Sequence, residues 1–364
     1  MGSNPILSAT KIKYYNDLIK QYISYMKICI FYTSPKLGDL ILQLPAIKAI
    51  AKKFNTKVSI CINAHIGIKD ILKEQDYIDE VIENYFRRGK YFFSDLWKLV
   101  VELKKKNFEY SYILEKTKAP AFASIIAKIK TIYGFGIGSQ KYFINASVSL
   151  NKNDLRYNYT EQSIRFLKKL DIDINFKDKF ISLNKIKNLS FLKSFEKYPK
   201  PWVCFGVDST ETNRIWPQKN FAYLADSLIK KNLAKTIFII NAQNYENYFQ
   251  NIQNSSEYPN NFIDCKKFNR TQIINIIDFC EYFIGIDSGP SCVSGALEKK
   301  TFCIIGATDA TLPRFRSMKK IISDIYDRKR EVGIYRCGDN FDQNDSEVKT
   351  ISVSKVFNTI VKYL

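Results

Sequence analysis

Short apolar runs alternate with longer stretches of helical periodicity along most of the chain, and this alternation is the strongest constraint on its fold. The apolar runs of the first half predict strands at Lys27–Thr33, Lys57–Ile62, Glu80–Tyr85, Tyr110–Leu114 and Thr131–Gly134. The stretches between them predict helices at Asp39–Lys53, Ile66–Glu74, Tyr91–Lys106 and Pro120–Lys130. Continuously apolar strands separated by helices are typical of a parallel sheet that is covered on both faces.

The alternation begins again beyond a polar stretch, rich in Lys and Asn, near residues 150–200. The second series predicts strands at Trp202–Val207, Thr236–Ile240, Asn261–Asp264, Tyr282–Ile286 and Thr301–Ile305. Its predicted helices are Pro217–Lys231, Gln243–Gln253, Thr271–Cys280 and Pro290–Leu297. We therefore predict two α/β domains, with ligands bound beyond the carboxyl ends of the strands in the cleft between the domains.

These two series divide the chain into five segments. We predict an amphipathic extension at 1–25, a first domain at 26–155, a linker at 156–200, a second domain at 201–350 and a C-terminal helix at 351–364. In the extension, apolar residues recur at spacings of three and four, with Lys on the other face. This pattern indicates a helix packed on the body of the protein or on a partner chain, or alternatively on a membrane.

The charge balance favours anionic partners. The chain of 364 residues carries 56 Lys and Arg against 36 Asp and Glu, a net charge of +20. This excess is typical of proteins that meet nucleic acid, phosphorylated sugars or an anionic membrane face, although a codon bias toward Lys and Asn would also produce it. No stretch of about 18 apolar residues predicts a spanning helix, and the amino terminus lacks the pattern of a secretory signal.

The cysteines predict no metal site. The chain has eight Cys without a CxxC pair, and it has a single His. A zinc site is therefore not expected, and most of the thiols lie within apolar runs, where they act as small core residues. Reduced thiols are typical of a cytoplasmic protein.

The turn after the first predicted strand carries the first candidate site, within Ser34-Pro-Lys-Leu-Gly-Asp39. Gly38 permits a tight turn, and Asp39 stands where the predicted helix begins. The Asp39 carboxylate would either cap the free N–H groups of that helix or act at the rim of the cleft as a general base toward a hydroxyl.

A second strand-to-helix turn, Gly285-Ile-Asp-Ser-Gly-Pro290, has the composition of a phosphate-binding site. Asp287 and Ser288 offer polar oxygen atoms, and Gly289 lets the backbone approach a ligand closely. The helix that begins at Pro290 directs free N–H groups to the same point. The turn suits a diphosphate, but it is not a Walker loop because the pattern GxxxxGK is absent.

The third candidate is the polar stretch from Ser209 to Pro217, which crowds hydroxyl groups next to Arg214. An Arg side chain beside hydroxyl groups can hold a leaving phosphate, and the alternative is an ordinary polar surface loop.

Three further features predict ordinary structure. Gly134-Phe-Gly-Ile-Gly138 has the wrong spacing for a dinucleotide loop and predicts a turn. Asp171 and Asp173 predict a solvated turn rather than a metal-binding pair, and His65 predicts a loop residue without a catalytic partner.

In their order and spacing, the three motifs together resemble those of glycosyltransferase family 9, the lipopolysaccharide heptosyltransferases. The stretch Met26-Lys-Ile-Cys-Ile-Phe-Tyr-Thr-Ser34, followed by Gly38-Asp39 and Leu44-Pro-Ala-Ile47, is similar to the amino terminus of that family. The resemblance covers about residues 26–320.

The second half carries two further similarities and one departure. Arg214-Ile-Trp-Pro217 is similar to the family's basic-x-Trp-Pro motif. Asp287-Ser-Gly-Pro290, followed by Ile305-Gly-Ala-Thr-Asp309, resembles its donor-binding signature. Cys292 stands where many members have His, and a thiol cannot replace an imidazolium against a phosphate. Arg316 or nearby Lys residues are candidates to supply the missing positive charge.

The resemblance implies the GT-B fold, with two Rossmann-like domains that face each other across a cleft. It places the acceptor site in the first domain and the nucleotide-sugar site in the second. It implies an inverting glycosyltransferase that uses no metal or other cofactor and moves a heptose from ADP-heptose onto the lipid A–core oligosaccharide of lipopolysaccharide or lipooligosaccharide. Such an enzyme is expected in the cytoplasm, peripherally at the anionic inner face of the inner membrane, without a nucleic-acid partner.

Carried over by position, the resemblance assigns Asp39 as the general base, with Lys36 and Gly38 on the acceptor side. The residues expected to bind the donor are Ser209, Thr210, Arg214, Phe268, Asp287, Ser288, Gly289 and Pro290. In this assignment the backbone at Phe268 meets the adenine. Two alternatives keep the fold, namely a protein O-heptosyltransferase that modifies an adhesin and an inactive relative that kept the nucleotide cleft.

Overall fold

The computed structural model of the chain describes residues 26–87, 89–184, 191–241, 247–306, 314–324 and 347–364. The predicted extension at 1–25 lies outside the described residues. The same holds for the first residues of the predicted helix Gln243–Gln253 and for 307–309 of the donor-binding signature. Within the described ranges, no helix has both the length and the apolar composition needed to cross a bilayer.

The first domain is built on a parallel sheet of five strands. These are β1 (Ile28–Tyr32), β2 (Val58–Asn63), β3 (Ile78–Asn84), β4 (Tyr110–Ile113) and β5 (Thr131–Gly134), in the order β3-β2-β1-β4-β5. The central strand β1 is buried along its whole length, as expected for a sheet covered on both faces. The helices are α1 (Leu37–Ile41), α2 (Leu44–Lys53), α3 (Lys69–Lys73), α4 (Phe92–Lys106), α5 (Lys118–Ile126) and α6 (Tyr159–Lys168).

The predicted helix Asp39–Lys53 is wrong in one respect, because the structure divides it into α1 and α2. Pro45 lies in the first turn of α2. In a continuous helix its ring would clash with the carbonyl group of Ile41, four residues earlier, and it has no N–H to donate. The break frees α1 to carry Asp39 as a short separate turn.

The second domain repeats the arrangement with six parallel strands. They are β6 (Trp202–Gly206), β7 (Thr236–Ile240), β8 (Phe262–Asp264), β9 (Tyr282–Ile286), β10 (Lys300–Ile305) and β11 (Met318–Ile322), in the order β11-β10-β9-β6-β7-β8. Its helices are α7 (Gln218–Lys230), α8 (Tyr248–Asn254), α9 (Arg270–Phe279), α10 (Gly289–Ala296) and α11 (Val353–Tyr363). The strand β11 was not predicted, because two lysines interrupt the apolar pattern of this edge strand.

Each sheet has one point at which the order of its strands reverses. In the first sheet the chain moves outward from β1 to β3 and returns to the other side of β1 as β4. In the second sheet the same reversal lies between β6 and β9. Loops at such a switch point diverge and leave a crevice for ligands. The predicted pair of Rossmann-like domains is confirmed.

The segment between the sheets contacts both domains. The backbone N–H groups of Phe180 and Ile181 each donate to the carbonyl oxygen of Ala296 in α10, at 3.0 Å. On the other side, the Tyr77 hydroxyl donates to the carbonyl oxygen of Phe180 at 2.7 Å. These residues belong to one buried cluster that includes side chains of both domains. The shared cluster holds the two sheets in a defined relation to each other.

Candidate active site

Asp39 lies on α1, directly beyond the carboxyl end of the central strand β1. The N-cap position of α1 is Lys36, whose side chain makes no capping hydrogen bond. The Asp39 carboxylate instead accepts a hydrogen bond from the Ser34 hydroxyl, with an Oγ–Oδ2 distance of 3.3 Å. Helix capping therefore does not explain the presence of Asp39.

The second domain contributes to the electrostatic environment of Asp39. Burial raises the pKa of this carboxyl above its usual range, and Lys36, the Ser34 hydroxyl and Arg214 oppose the shift. Glu211 adds a smaller effect that raises the pKa. Arg214 and Glu211 follow β6, so Asp39 faces the switch point of the other sheet. A carboxylate with a raised pKa is a stronger base than an exposed one.

Asp287 follows β9 and is held by a buried ion pair. The Arg314 guanidinium contacts both carboxylate oxygens of Asp287 through Nη2, each at 3.2 Å. The side chains of Arg314 and Asp287 are only 4% and 8% exposed, respectively. A buried carboxylate needs such a partner, because an unpaired charge inside a protein costs several kcal/mol. Asp287 is thereby fixed at the start of α10.

The amino terminus of α10 presents polar groups toward the same region. Ser288 is the N-cap of α10, and its hydroxyl oxygen is buried without a hydrogen-bond partner among the described residues. Buried hydroxyl groups are nearly always paired in native proteins, so a lone one at a helix start indicates a place for a ligand. Gly289 and Pro290 form the first turn, where Pro has no N–H that would be left unused.

Arg214 joins the two switch-point loops of the second domain. Its Nη1 lies 3.5 Å from the carbonyl oxygen of Asp287, and its Nη2 lies 2.7 Å from the carboxylate of Glu211. Glu211 also forms an ion pair across the domains, with 3.6 Å between its Oε1 and the Nζ of Lys36. Glu211 therefore bridges a cation of each domain, and the sequence motif did not single it out.

The hydroxyl residues next to Arg214 differ in exposure. Ser209 is nearly buried, and its Oγ accepts the backbone N–H of Glu211 at 3.2 Å, which shapes the loop. Thr210 is exposed beside it. The two residues bring hydroxyl groups to the end of β6, although only Thr210 lies open to solvent.

The two domains meet at a pair of glycines. A Cβ atom placed on Gly38 would lie 3.0 Å from the Cα of Gly289 and 3.7 Å from the Sγ of Cys292. Real Cβ atoms rarely approach another heavy atom that closely, so a side chain at Gly38 would push α1 away from α10. The glycines let the start of α1 and the start of α10 lie in backbone contact. Asp39 therefore directly follows the residue that contacts the Asp287–Pro290 turn of the other domain.

Cys292 is a neutral residue in this site. It is 3% exposed in α10, and burial raises the pKa of its thiol to about 12. The expectation that Arg316 supplies the missing positive charge is wrong, since Arg316 is directed to the surface and pairs with Glu298 at 2.5 Å. Arg314 is the cation that lies close to Asp287 and Cys292. The two arginines are only two residues apart, and the sequence alone did not distinguish them.

Phe268 lies in the loop after β8, and its ring packs against two other aromatic rings. The ring makes edge contacts with Phe191 and Phe195, with centroids 5.5 Å and 5.6 Å apart. The resemblance assigns the backbone at this position, rather than the ring, to the nucleotide base. The contact between this backbone and adenine stays a prediction.

Glu115 is a buried acid at the first switch point that sequence reasoning missed. It follows β4, is 5% exposed, and accepts the backbone N–H of Thr33 at 2.8 Å. Burial raises the pKa of Glu115 to about 7. Burial chiefly raises the pKa of Tyr32, and the charges of Asp39 and Glu115 add to this shift. Only the strand order β1-β4 reveals that Glu115 and Asp39 share one edge.

We expect Glu115→Gln to change how stability depends on pH. Between the unfolded pKa near 4.5 and the folded value of about 7, the native state binds a proton that the unfolded state has lost. The free energy of unfolding of the unchanged protein therefore falls as pH rises through this window, by about 3 kcal/mol at most. Gln can still accept the Thr33 N–H and does not titrate. Urea unfolding at pH 5 and pH 8 should show the variant gaining relative stability at pH 8, whereas parallel pH dependences would contradict the buried ionisation.

The glycine-rich stretch at 134–138, Asp171 and His65, for which the sequence predicts ordinary turns and a loop residue, lie in such local structure. Gly136 and Gly138 have positive φ angles and lead into a single 3-10 turn. Asp171 is exposed with a positive φ angle and pairs with Lys53. The ring of His65 makes an edge contact with the ring of Tyr85, with centroids 5.1 Å apart. Among the residues that the structure describes, no group of three or more His, Cys, Asp or Glu side chains is placed to hold a metal ion.

Comparison with known proteins agrees with this arrangement of side chains at the ends of the two sheets. The profile of glycosyltransferase family 9 (heptosyltransferase) matches residues 96–336, more than half of the chain. A curated relative, lipopolysaccharide heptosyltransferase 1 of Campylobacter coli, is 26% identical over 348 residues, which are 92% of this chain and 98% of the relative.

Solved structures share the fold at low sequence identity. ADP-heptose lipopolysaccharide heptosyltransferase II of E. coli has a TM-score of 0.71 at 15% identity, covering 93% of this chain and 98% of its own. A family 9 glycosyltransferase of Veillonella parvula has a TM-score of 0.73 at 16% identity, covering 93% and 97%. E. coli heptosyltransferase WaaC, with ADP-2-deoxy-2-fluoro heptose, has a TM-score of 0.65 at 14% identity, covering 93% and 100%. The chain belongs to glycosyltransferase family 9 and is a glycosyltransferase.

Proposed function

We propose that this enzyme transfers a heptose from ADP-heptose to the core oligosaccharide of lipopolysaccharide or lipooligosaccharide, with inversion at the anomeric carbon. The observation that carries the proposal is the placement of Asp39 opposite Arg214, each beyond the switch point of its own sheet, with Arg214 near enough to lower the pKa of the Asp39 carboxyl. A base on one side and a cation on the other are what displacement of a nucleoside diphosphate from a sugar requires. The names of the curated relative and of the solved structures support heptose as the sugar.

On the donor side, the second domain offers cationic and neutral hydrogen-bond donors to the diphosphate. Arg214 would hold the phosphates together with the hydroxyls of Ser209 and Thr210. The Ser288 hydroxyl and the backbone of Gly289 would meet the donor at the start of α10, where the helix dipole favours negative charge. Asp287, held by Arg314, and Pro290 complete this turn, and the backbone at Phe268 would meet the adenine.

On the acceptor side, Asp39 takes the proton. The hydroxyl oxygen of the acceptor forms a bond with the anomeric carbon while the bond from that carbon to the phosphate oxygen breaks. The hydroxyl proton moves to the Asp39 carboxylate, and ADP leaves with the electron pair of the broken bond. Because attack and departure occur on opposite faces, the anomeric configuration inverts. Lys36 and Gly38 would line the acceptor's approach.

The charge of the leaving diphosphate would be met by the protein itself. Arg214, the hydroxyl groups and the start of α10 supply positive potential without a divalent cation. We therefore propose transfer that is independent of added metal and persists in EDTA. We propose that the reaction takes place in the cytoplasm, at the inner face of the inner membrane, where a lipid-linked acceptor carries phosphates. Nucleic acid is not a proposed partner.

Ser34→Ala tests the role of Asp39 as the base. The Ser34 hydroxyl lowers the pKa of the Asp39 carboxyl from the raised value that burial produces. Removing the hydroxyl should raise this pKa further, so that kcat/KM on the acid side declines at a higher pH than in the unchanged enzyme. The pH profile of kcat/KM between pH 5 and pH 9 measures the shift. Identical acid limbs would show that a group other than Asp39 is titrating.

The proposed function itself is tested by supplying both substrates. Purified enzyme with ADP-heptose and a core acceptor that lacks heptose should add one heptose, detected by mass, and release ADP. Binding of ADP without transfer to any acceptor would contradict the proposal and favour an inactive nucleotide-binding relative. Transfer to Ser or Thr of an adhesin, with the core acceptor left unchanged, would replace the proposed acceptor by a protein.

A further inference from the structure

Large apolar side chains lie exposed on one helix of the first domain. On α4, Phe93 is 79% exposed and Trp97 is 63% exposed. They are four residues apart and therefore neighbours on the helix surface. Soluble proteins rarely expose side by side two aromatic groups of this size, and such a patch marks a surface that meets another apolar phase or a partner.

Basic side chains surround this pair. Lys98, Lys104 and Lys105 are exposed on the same half of α4 and form no ion pair with the described residues. The acids of α4 are already neutralised, since Asp95 pairs with Arg87 at 2.7 Å and Glu102 pairs with Lys106 at 3.7 Å. The exposed half of α4 is thus aromatic and cationic at once.

Flanking segments extend the same composition. Before α4, the side chain of Arg87 lies 4.3 Å from the ring of Tyr91, and Lys90 lies 5.1 Å from it. Next to α4, helix α5 exposes Phe122 and Ile125, which are 38% and 45% exposed. We call α4 with these flanking residues the aromatic face.

The aromatic face begins at the edge of the sheet that carries Asp39. Tyr85 follows β3 and extends the aromatic face, because its exposed ring lies 5.2 Å from the Arg87 guanidinium. The Asn63 side chain donates both to the carbonyl oxygen of Tyr85 at 3.3 Å and to that of Thr33 at 3.1 Å. Thr33 leads directly into the Ser34–Asp39 turn. One amide side chain therefore ties the start of the aromatic face to the loop of the proposed base.

We propose that the aromatic face docks the enzyme onto a bilayer surface rich in anionic phospholipid. Trp, Tyr and Phe side chains with Lys and Arg among them are the combination that binds the interface of such a membrane, the rings among the headgroups and the cations against the phosphates. A second copy of this chain fits less well, because a two-fold contact would bring the same uncompensated lysines together. The inference rests on the proposed function in one respect, since a lipid-linked acceptor gives the docking a purpose.

Docking at this face would bring the acceptor site to the membrane. The acceptor sugars project from the bilayer surface, and the edge with Asp39 lies where the aromatic face begins. An acceptor held in vesicles would then be used better than the same sugars free in solution. The unchanged enzyme should lose this preference when the vesicles lack anionic lipid.

Intrinsic fluorescence tests the docking directly. The chain has three Trp, of which Trp202 and Trp216 are 4% and 0% exposed, so Trp97 is the one that can report contact with lipid. With vesicles of phosphatidylcholine containing about one third phosphatidylglycerol, we expect a blue-shifted emission and protection from acrylamide. Neither change should occur with phosphatidylcholine alone. Absence of both changes with the anionic vesicles would overturn the proposal.

Paired variants locate the contact. The double variant Phe93→Ser and Trp97→Ser should bind the anionic vesicles at least tenfold more weakly in cosedimentation, since two interfacial rings are lost. Tyr223→Ser is the matched control, because Tyr223 is 52% exposed on α7 of the second domain, and its binding should not change. Equal binding by the double variant and the unchanged enzyme would overturn the proposal.

Two further readouts separate the possible failures. A blue shift that depends on protein concentration without lipid, with a doubled mass in light scattering, would replace the membrane by a second copy. Transfer to a deacylated, water-soluble core acceptor should be the same in the double variant and the unchanged enzyme. A loss of this transfer in the double variant would show a structural defect and overturn the assignment of these side chains to docking.

The failure of the proposed function is a separate outcome. If the unchanged enzyme transfers heptose to neither acceptor, the proposed function fails, while the vesicle measurements still decide the docking.

Discussion

Asp39→Asn is expected to reduce transfer by about 100- to 10,000-fold, the usual contribution of a positioned general base. The amide keeps the size of the side chain and can still accept the Ser34 hydrogen bond, but it cannot take the proton of the acceptor. The measurement is the initial rate of heptose transfer under saturating donor. Donor affinity should change little, because the diphosphate is proposed to bind in the other domain.

A surface acid supplies the control for this variant. Asp173→Asn removes an exposed carboxylate in the turn after α6 and should leave the rate unchanged. If Asp39→Asn retained more than about a tenth of the activity, the loss would be too small for a general base. Asp39 would then be a structural residue at the domain contact.

Arg214→Ala has the second large expected effect, on nucleotide affinity. Arg214 is the cation that contacts the backbone of Asp287 and lies across from Asp39, so its loss should remove charge-assisted hydrogen bonds to the diphosphate. We expect ADP to bind about 2 to 4 kcal/mol more weakly, roughly 30- to 1,000-fold. The ion pair with Glu211 must be exchanged for the phosphate on binding, which favours the lower end of this range. Isothermal titration calorimetry with ADP measures the effect.

Arg316→Ala is the matched control, because it removes the same charge from the same domain. Arg316 is 66% exposed and pairs with Glu298 at the surface. Its loss should leave ADP affinity within about twofold of the unchanged enzyme, since surface ion pairs contribute little. Equal losses in the two variants would indicate a general effect of net charge and would remove Arg214 from the proposed site.

The fold and the main motifs could be predicted because their signals are local. The central strand β1 is a continuously apolar run in the sequence, and its neighbour β2 is mostly apolar. The motifs lie in the turns that directly follow β1, β6 and β9. Position after a strand is readable in the sequence, and in a parallel sheet it determines the edge at which a turn lies. Asp39, Arg214 and Asp287 were found in this way.

Other features of the site depend on contacts between distant parts of the chain. Glu115 follows β4, and its closeness to Asp39 depends on β4 lying beside β1, which the run of strands alone does not reveal. Arg314 and Arg316 have the same residue type two positions apart, and only tertiary packing decides which of them faces Asp287. Glu211 joins Lys36 only when the domains meet. Electrostatic pairs of this kind leave no periodic signal.

Sequence patterns gave wrong or missing elements at two places, where one or two residues interrupt the pattern. Pro45 lies in the interior of the predicted helix Asp39–Lys53, but in the structure it is a first-turn residue of α2, so the sequence predicts one helix where two are present. The lysines of β11 conceal an edge strand, because one side of such a strand need not be apolar.

The central claim is that Asp39 acts on one face of the sugar, while Arg214 and the start of α10 hold the diphosphate on the opposite face. A crystal structure of this enzyme with ADP-2-deoxy-2-fluoro-heptose tests the claim most directly, because that donor analogue reports the position of the anomeric carbon. We expect its diphosphate between Arg214 and the start of α10, with the anomeric carbon facing the Asp39 carboxylate and room for an acceptor hydroxyl between them. A sugar whose anomeric carbon faces away from Asp39, or a diphosphate bound without Arg214, would contradict the account.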